Sequence, residues 1–181
     1  YIVLTETGFL DNMSSGQQED LIRQAVRLRP HEPRVLFAAG LLASDSGQSE
    51  AAWKMWRRAV RLDSWVARQI FRRHLDLLPP EELISRTEPT ASVWSVLYDE
   101  YRRAGLQQHL TIAAEAFADT FAEELRKNLA GDFHQLGAWA EMLLTAGLPA
   151  DAVVCLKQGL RQRPRNIVLQ RQLAKALAQH D

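Results

Sequence analysis

Histidine, cysteine, paired carboxylates and clustered cations carry most protein chemistry at neutral pH, and this 181-residue chain scatters the first three. His31, His74, His109, His134 and His180 form no His-x-x-x-His pair and no Glu-x-x-His pair, the spacings that set two ligands on one helix face. Cys155 sits among Val153, Val154 and Leu156 and reads as a buried structural thiol, not a nucleophile. As the one cysteine it excludes an internal disulfide. Gly47, Gly105 and Gly147 stand singly between helical patterns, so they are turn glycines and not a phosphate cradle. No catalytic, cofactor or metal site is therefore expected. His134, one turn before Trp139, is the histidine best placed to reach a groove.

The cations do cluster. Arg57, Arg58, Arg61, Arg68, Arg72 and Arg73, with His74, face a single acid, Asp63. Arg57/Arg61 and Arg68/Arg72 are one helical turn apart, so each pair shares a face. Two readings stay open. One is a solvated outer face, answered by acids such as Glu115, Asp119, Glu123 and Glu124. The other is an anion patch for an acidic peptide, an anionic lipid or a phosphate-bearing polymer. Nucleic acid is disfavoured, because single-strand readers pair basic residues with exposed aromatics and the aromatics here fit packing stripes. Trp53, Trp56, Trp94 and Trp139 belong to such stripes, Trp53 being the least constrained and the one expected to be partly exposed. Trp65 is expected to cover a turn.

The elements that hold these residues are helical. Apolar residues make up 46% and charged residues 24%, a globular balance, and 22 basic residues meet 22 acidic ones, so no global field pulls the chain to a polyanion. Apolar residues recur at three and four, and no alternating strand pattern appears. The longest apolar run, Val35 to Ala43, is too short to span a bilayer. There is no leader pattern; the first residue is Tyr and not Met, from which a piece of a larger protein is expected.

The best-patterned stretch is His31 to Ser64. It predicts a helix from about Pro33 to Ser44, a turn at Asp45-Ser46-Gly47 and a second helix from about Ser49 to Leu62. Gly40 falls where the two helices come closest, and Ala52, Trp56 and Ala59 share the inner face of the second. Leu36, Gly40, Gly47, Ala52, Trp56 and Ala59 occupy, in one frame, the places of the tetratricopeptide repeat, with Ser64 where that repeat closes on Pro and Pro30 closing the unit before. The unit resembles that family. The match recurs at 132–164 through Leu136, Trp139, Ala140, Leu143, Gly147, Ala152, Leu156 and Gly159. It returns less completely at 91–129 through Trp94, Leu97, Tyr101 and Gly105, with Leu110 and Phe117 in places usual for Ala. Residues 1–30 form a partial unit, with Tyr1 to Met13 a worn helix and Gln17 to Arg29 a better one carrying Leu21, Ile22, Ala25 and Leu28. Residues 65–90 form a degenerate unit, its helix running from Trp65 to Leu78 and stopped by Pro79-Pro80. Residues 165–181 supply a capping helix, with Leu173, Ala174 and Leu177 on the matching places.

The resemblance implies an all-α fold: one repeat domain over 1–181, a right-handed superhelical array of antiparallel helix pairs, irregular around 65–90. It implies a non-catalytic scaffold that holds a peptide or protein segment on a concave face lined by first helices. On that face would lie Arg34, Phe37 and Leu41, then Ser95, Asp99 and Arg102, then His134, Gly137 and Glu141. Where some of these repeats clamp a terminal carboxylate, this chain has Phe37, Ala38 and Leu41, so that activity is not carried over. A homo-oligomer formed through the ends is a further expectation. The segment from Arg68 to Gly105 also resembles the soluble repeat tails of bacterial O-antigen ligase-like membrane proteins. That likeness implies the alternative of an accessory domain in cell-surface polysaccharide assembly, on the cytoplasmic or periplasmic side of a membrane parent.

Overall fold

Three glycines end three helices in the same way. In the computed structural model, which describes residues 15–127 and 131–180, Gly47, Gly105 and Gly147 have φ of 75°, 72° and 75°. At each, the glycine N–H donates to the carbonyl three residues back, and the next N–H donates to the carbonyl five back. The second bond is Gln48 to Ala43 at 2.8 Å, Leu106 to Tyr101 at 3.1 Å and Leu148 to Leu143 at 2.8 Å. This paired closure uses up the orphan carbonyls of a helix end and needs a left-handed residue, which glycine supplies without a Cβ clash.

Ten helices and no strand occur among the described residues. They are α1 (Ser15–Leu28), α2 (Pro33–Asp45), α3 (Ser49–Leu62), α4 (Ser64–His74), α5 (Pro80–Thr87), α6 (Ala91–Ala104), α7 (Gln107–Lys127), α8 (Phe133–Thr145), α9 (Pro149–Gln162) and α10 (Ile167–His180). The glycine turns join α2 to α3, α6 to α7 and α8 to α9. The expected helix over Tyr1 to Met13 lies outside the described residues, as do the side chains of Glu123 and Glu124. The chain divides into two compact units, Tyr1–Val93 and Trp94–Asp181.

In the first unit α2 and α3 pack along their length. A Cβ on Gly40 would stand 2.1 Å from Nε1 of Trp56, so only glycine lets the indole lie across α2. From that seat Trp56 Nε1 donates to the Phe37 carbonyl at 3.2 Å. Ala52 and Ala59, above and below Trp56 on α3, are fully buried. Trp53 is only 6% exposed, against the expectation of partial exposure; its ring meets Trp56 edge-on at 5.0 Å and His74 at 4.8 Å. On α1, Ala25 is buried and Leu21 and Ile22 are half-buried, while Leu28 stays exposed.

The next helix is shorter than the sequence suggests. Asp63 ends α3 and starts α4, its side chain accepting from the Val66 N–H at 2.9 Å, an N-cap bond. Val66, Ile70 and Phe71 are fully buried, but α4 stops at His74 and leaves Leu77 exposed. Residues before proline avoid the α region, so Leu78 and Pro79 cannot continue the helix. Pro80 then serves as the first residue of α5, where a missing N–H costs nothing.

In the second unit Trp94, Leu97, Tyr98 and Tyr101 of α6 are buried, and Trp94 meets Phe117 of α7 edge-on at 6.0 Å. Asp132 caps α8 in a reciprocal box with Gln135. Gly159, where Ala is usual, has its reason in α10: a Cβ there would stand 3.0 Å from Leu169, and one on Gly137 of α8 also 3.0 Å from Leu169. Leu169 thus fits between two glycines on two helices. On α10 Leu169 and Ala176 are buried and Leu173 half-buried, while Ala174 and Leu177 face solvent.

Candidate functional site

The first-helix residues are placed differently in the two units. On α2, Arg34, Phe37 and Leu41 fall on successive turns and are all half-buried. The Arg34 guanidinium lies 5.2 Å over the ring of Trp65, which is 48% exposed. In the second unit Asp99 and Arg102 of α6 come together with Glu141 of α8. Arg102 Nη1 donates to both Glu141 oxygens at 2.9 and 2.8 Å, and Nη2 donates to Asp99 at 2.5 Å. Burial alone would lower the Arg102 pKa, but the Glu141 and Asp99 carboxylates outweigh it and raise it. Beside this cluster the Thr145 hydroxyl donates to the Glu141 carbonyl, so the Tyr98 hydroxyl donates to Thr145 at 2.8 Å. Burial holds the Tyr98 phenol above its usual range. Ser95 on α6 is half-buried. His134 is exposed at the start of α8, its ring 3.9 Å from Phe133.

The arginine run is spread over α3 and α4. Arg57 Nη1 and Arg61 Nη2 each hold one oxygen of the Glu88 carboxylate, at 2.6 and 2.7 Å. Arg57 Nε donates to the Arg86 carbonyl at 2.9 Å, and Arg58 donates to the Pro30 carbonyl at 2.8 Å. Arg68 is half-buried on α4, and Arg72 and Arg73 are exposed near its end. Glu88 was not among the acids expected to answer these cations. Pairing across 27 residues leaves no trace in local spacing, and the only sequence signal was the break at Glu88-Pro89. A second pairing was equally hidden: Arg86 stands 5.3 Å over the Trp53 ring and is held by Glu82 at 2.8 Å and Glu50 at 3.4 Å.

Two groups that could do chemistry are held out of it. Burial pushes the Cys155 thiol up to about 12, with Asp151 adding to the rise, so a thiolate is absent at neutral pH. His74 packs in a triangle of rings with Trp53 and Trp56, at 4.8 and 4.9 Å, with Nδ1 2.8 Å from the Ile70 carbonyl. A carbonyl only accepts, so Nδ1 carries the proton. Burial lowers the His74 pKa below 6.5; the Ile70 bond opposes that, and Arg73 and Arg86 add to it.

Among the described residues no group of three or more His, Cys, Asp or Glu side chains is placed to hold a metal ion, and no helix is long and apolar enough to cross a membrane. A cavity of about 320 Å³ opens between α1, α2 and α3 against Ile22, Val26, Leu42 and Met55, with Arg23 among the residues around it. A wider one of about 530 Å³ sits at the turn from α9 to α10, where Arg163 lies 5.3 Å over Phe133. Compared with known proteins, the chain matches no family model, and no curated protein matches it.

Proposed function

We propose that this chain is a helical-repeat scaffold that holds a peptide or protein segment against its first helices. The observation that carries the reading is the recurrence of one hairpin: a left-handed glycine closing the first helix, and small residues admitting a large ring or leucine between helices. Three hairpins share the glycine closure, and Gly40, Gly137 and Gly159 share the small-residue seat. First helices also meet one another within each unit. In the first unit α2 touches α4; in the second α8 touches α10, and Arg102 of α6 reaches Glu141 of α8. Successive first helices in line are what a superhelical array of tetratricopeptide-like pairs requires.

The accessible part of that face is Arg34, Phe37, Leu41 and Trp65, a mixture of aromatic, aliphatic and guanidinium groups of the kind that anchors partner segments. In the second unit Asp99, Arg102 and Glu141 satisfy one another, and their role is to lock α6 to α8.

A displayed peptide library, selected against the full chain, tests the reading. Enriched peptides should lose binding on Arg34→Ala and Leu41→Ala and keep it on Lys54→Ala, an exposed site on the second helix α3. No enrichment, or equal loss on Lys54→Ala, sinks it.

A further inference from the structure

Glu88 is the one non-glycine residue with a positive φ among the described residues, at φ 44° and ψ 63°. A glutamate gains nothing locally from that backbone, which favours glycine and tolerates asparagine. What it gains is tertiary. Arg57 and Arg61, one turn apart on α3, present two guanidinium groups side by side, and each takes a different oxygen of the Glu88 carboxylate. Arg57 also reads the Arg86 carbonyl with its Nε. A carboxylate and a main-chain carbonyl two residues before it are thus recognised together, which is how a peptide is read and not how a loose surface pair forms.

The backbone beneath is fixed while the carboxylate is not. Leu83 and Thr87 are fully buried, and Thr87 is bonded to the Leu83 carbonyl at 2.7 Å, so the end of α5 stays anchored. The side chains of Arg57, Arg61 and Glu88 are 39%, 48% and 49% exposed, so Glu88 can swing into water without unpacking a helix.

We propose that Arg57 and Arg61 form a carboxylate-binding fork for an acidic side chain of a partner protein, and that Glu88 occupies it in cis as a built-in competitor. The fork lies on a second helix, so it is distinct from the first-helix face and does not rest on it. An incoming aspartate or glutamate exchanges with Glu88 and leaves the Arg86 carbonyl bond in place. No bond is made or broken beyond ion pairs and hydrogen bonds.

The test is binding of a fluorescein-labelled octaglutamate peptide to the full chain at low salt, followed by anisotropy. Glu88→Gln should tighten binding about tenfold, because two exposed pairs no longer compete with the peptide. Glu81→Gln removes the same charge from an exposed site on the same short helix and should leave binding near wild type. Adding Arg61→Gln to Glu88→Gln should return the affinity to wild type. Equal tightening by Glu88→Gln and Glu81→Gln would show a bulk charge effect and overturn the fork. So would an unchanged affinity in a folded Glu88→Gln protein, or capture of phosphatidylserine vesicles by that variant without peptide binding. If Gln at 88 disturbs folding, Glu88→Gly suits the left-handed backbone and gives the same readout.

Discussion

His74 sits where a neutral ring fits and a cation does not. Two tilted indoles pack against it, the Ile70 carbonyl takes its Nδ1–H, and the charges nearby are the cations Arg73 on its own helix and Arg86 on α5, the latter answered by Glu82 and Glu50. Burial is the largest cause of its lowered pKa. The unfolded chain then binds a proton near pH 6.5 that the folded chain refuses until lower pH, so stability is full above 6.5 and falls as the pH drops from there toward the folded value. His74→Phe keeps the ring contacts and removes the titration. Urea midpoints measured at pH 7.5 and 5.5 should fall more for the wild type than for His74→Phe. Equal falls would mean that the histidine is charged, or solvated, in the folded state.

At the scale of the element, the caps carry the clearest consequence. Gly147 has φ of 75° and nothing within 4 Å of where a Cβ would sit, so a substitution there meets only the backbone penalty. Gly147→Ala should cost about 1–2 kcal/mol and Gly147→Asn less, since asparagine tolerates the left-handed region. Denaturant melts in which Ala costs no more than Asn would remove the cap from the account. These caps could be read from sequence because they are properties of one residue and its neighbours. The seat of Trp56 on Gly40 was legible for a similar reason: helical spacing puts Ala52, Trp56 and Ala59 on one stripe. What could not be read depends on a second element. Trp53 is buried because α4 folds His74 onto it. Proline marks where α4 must have ended but not that it unwinds a turn earlier, whereas the short helix after it was legible over Glu81 to Arg86. Leu169 and Ala176 face inward on α10, with Leu173 half-covered and Ala174 and Leu177 open, because α8 and α9 cover α10 from one side only. The arginine run was visible, but its carboxylate was not, since Glu88 is brought to Arg57 and Arg61 by the turn at the end of α5.

At the scale of the whole molecule, packing is organised within 1–93 and within 94–181, and each unit has its own fully buried large side chains: Trp56, Ile70, Phe71 and Leu83 in one, Tyr101, Phe117, Leu136 and Leu143 in the other. Units built this way open as separate cooperative blocks when one is weakened. Gly40→Ala is the change to use. Its methyl would meet the Trp56 indole at 2.1 Å, so the ring must leave its seat and drop the bond to the Phe37 carbonyl. Overpacking of this kind costs roughly 1–3 kcal/mol, against a gain of up to about 1 kcal/mol from replacing a helical glycine. Gly16→Ala, on α1 with open space around it, is the control and should not destabilise. Native-state hydrogen exchange on the Gly40→Ala protein should show lost protection in α2 and α3 and unchanged protection in α8 and α9. Matching losses in both regions would make the chain one cooperative unit. No loss anywhere would mean that the indole does not rest on Gly40, and the packing rule that runs through the hairpins would fall with it.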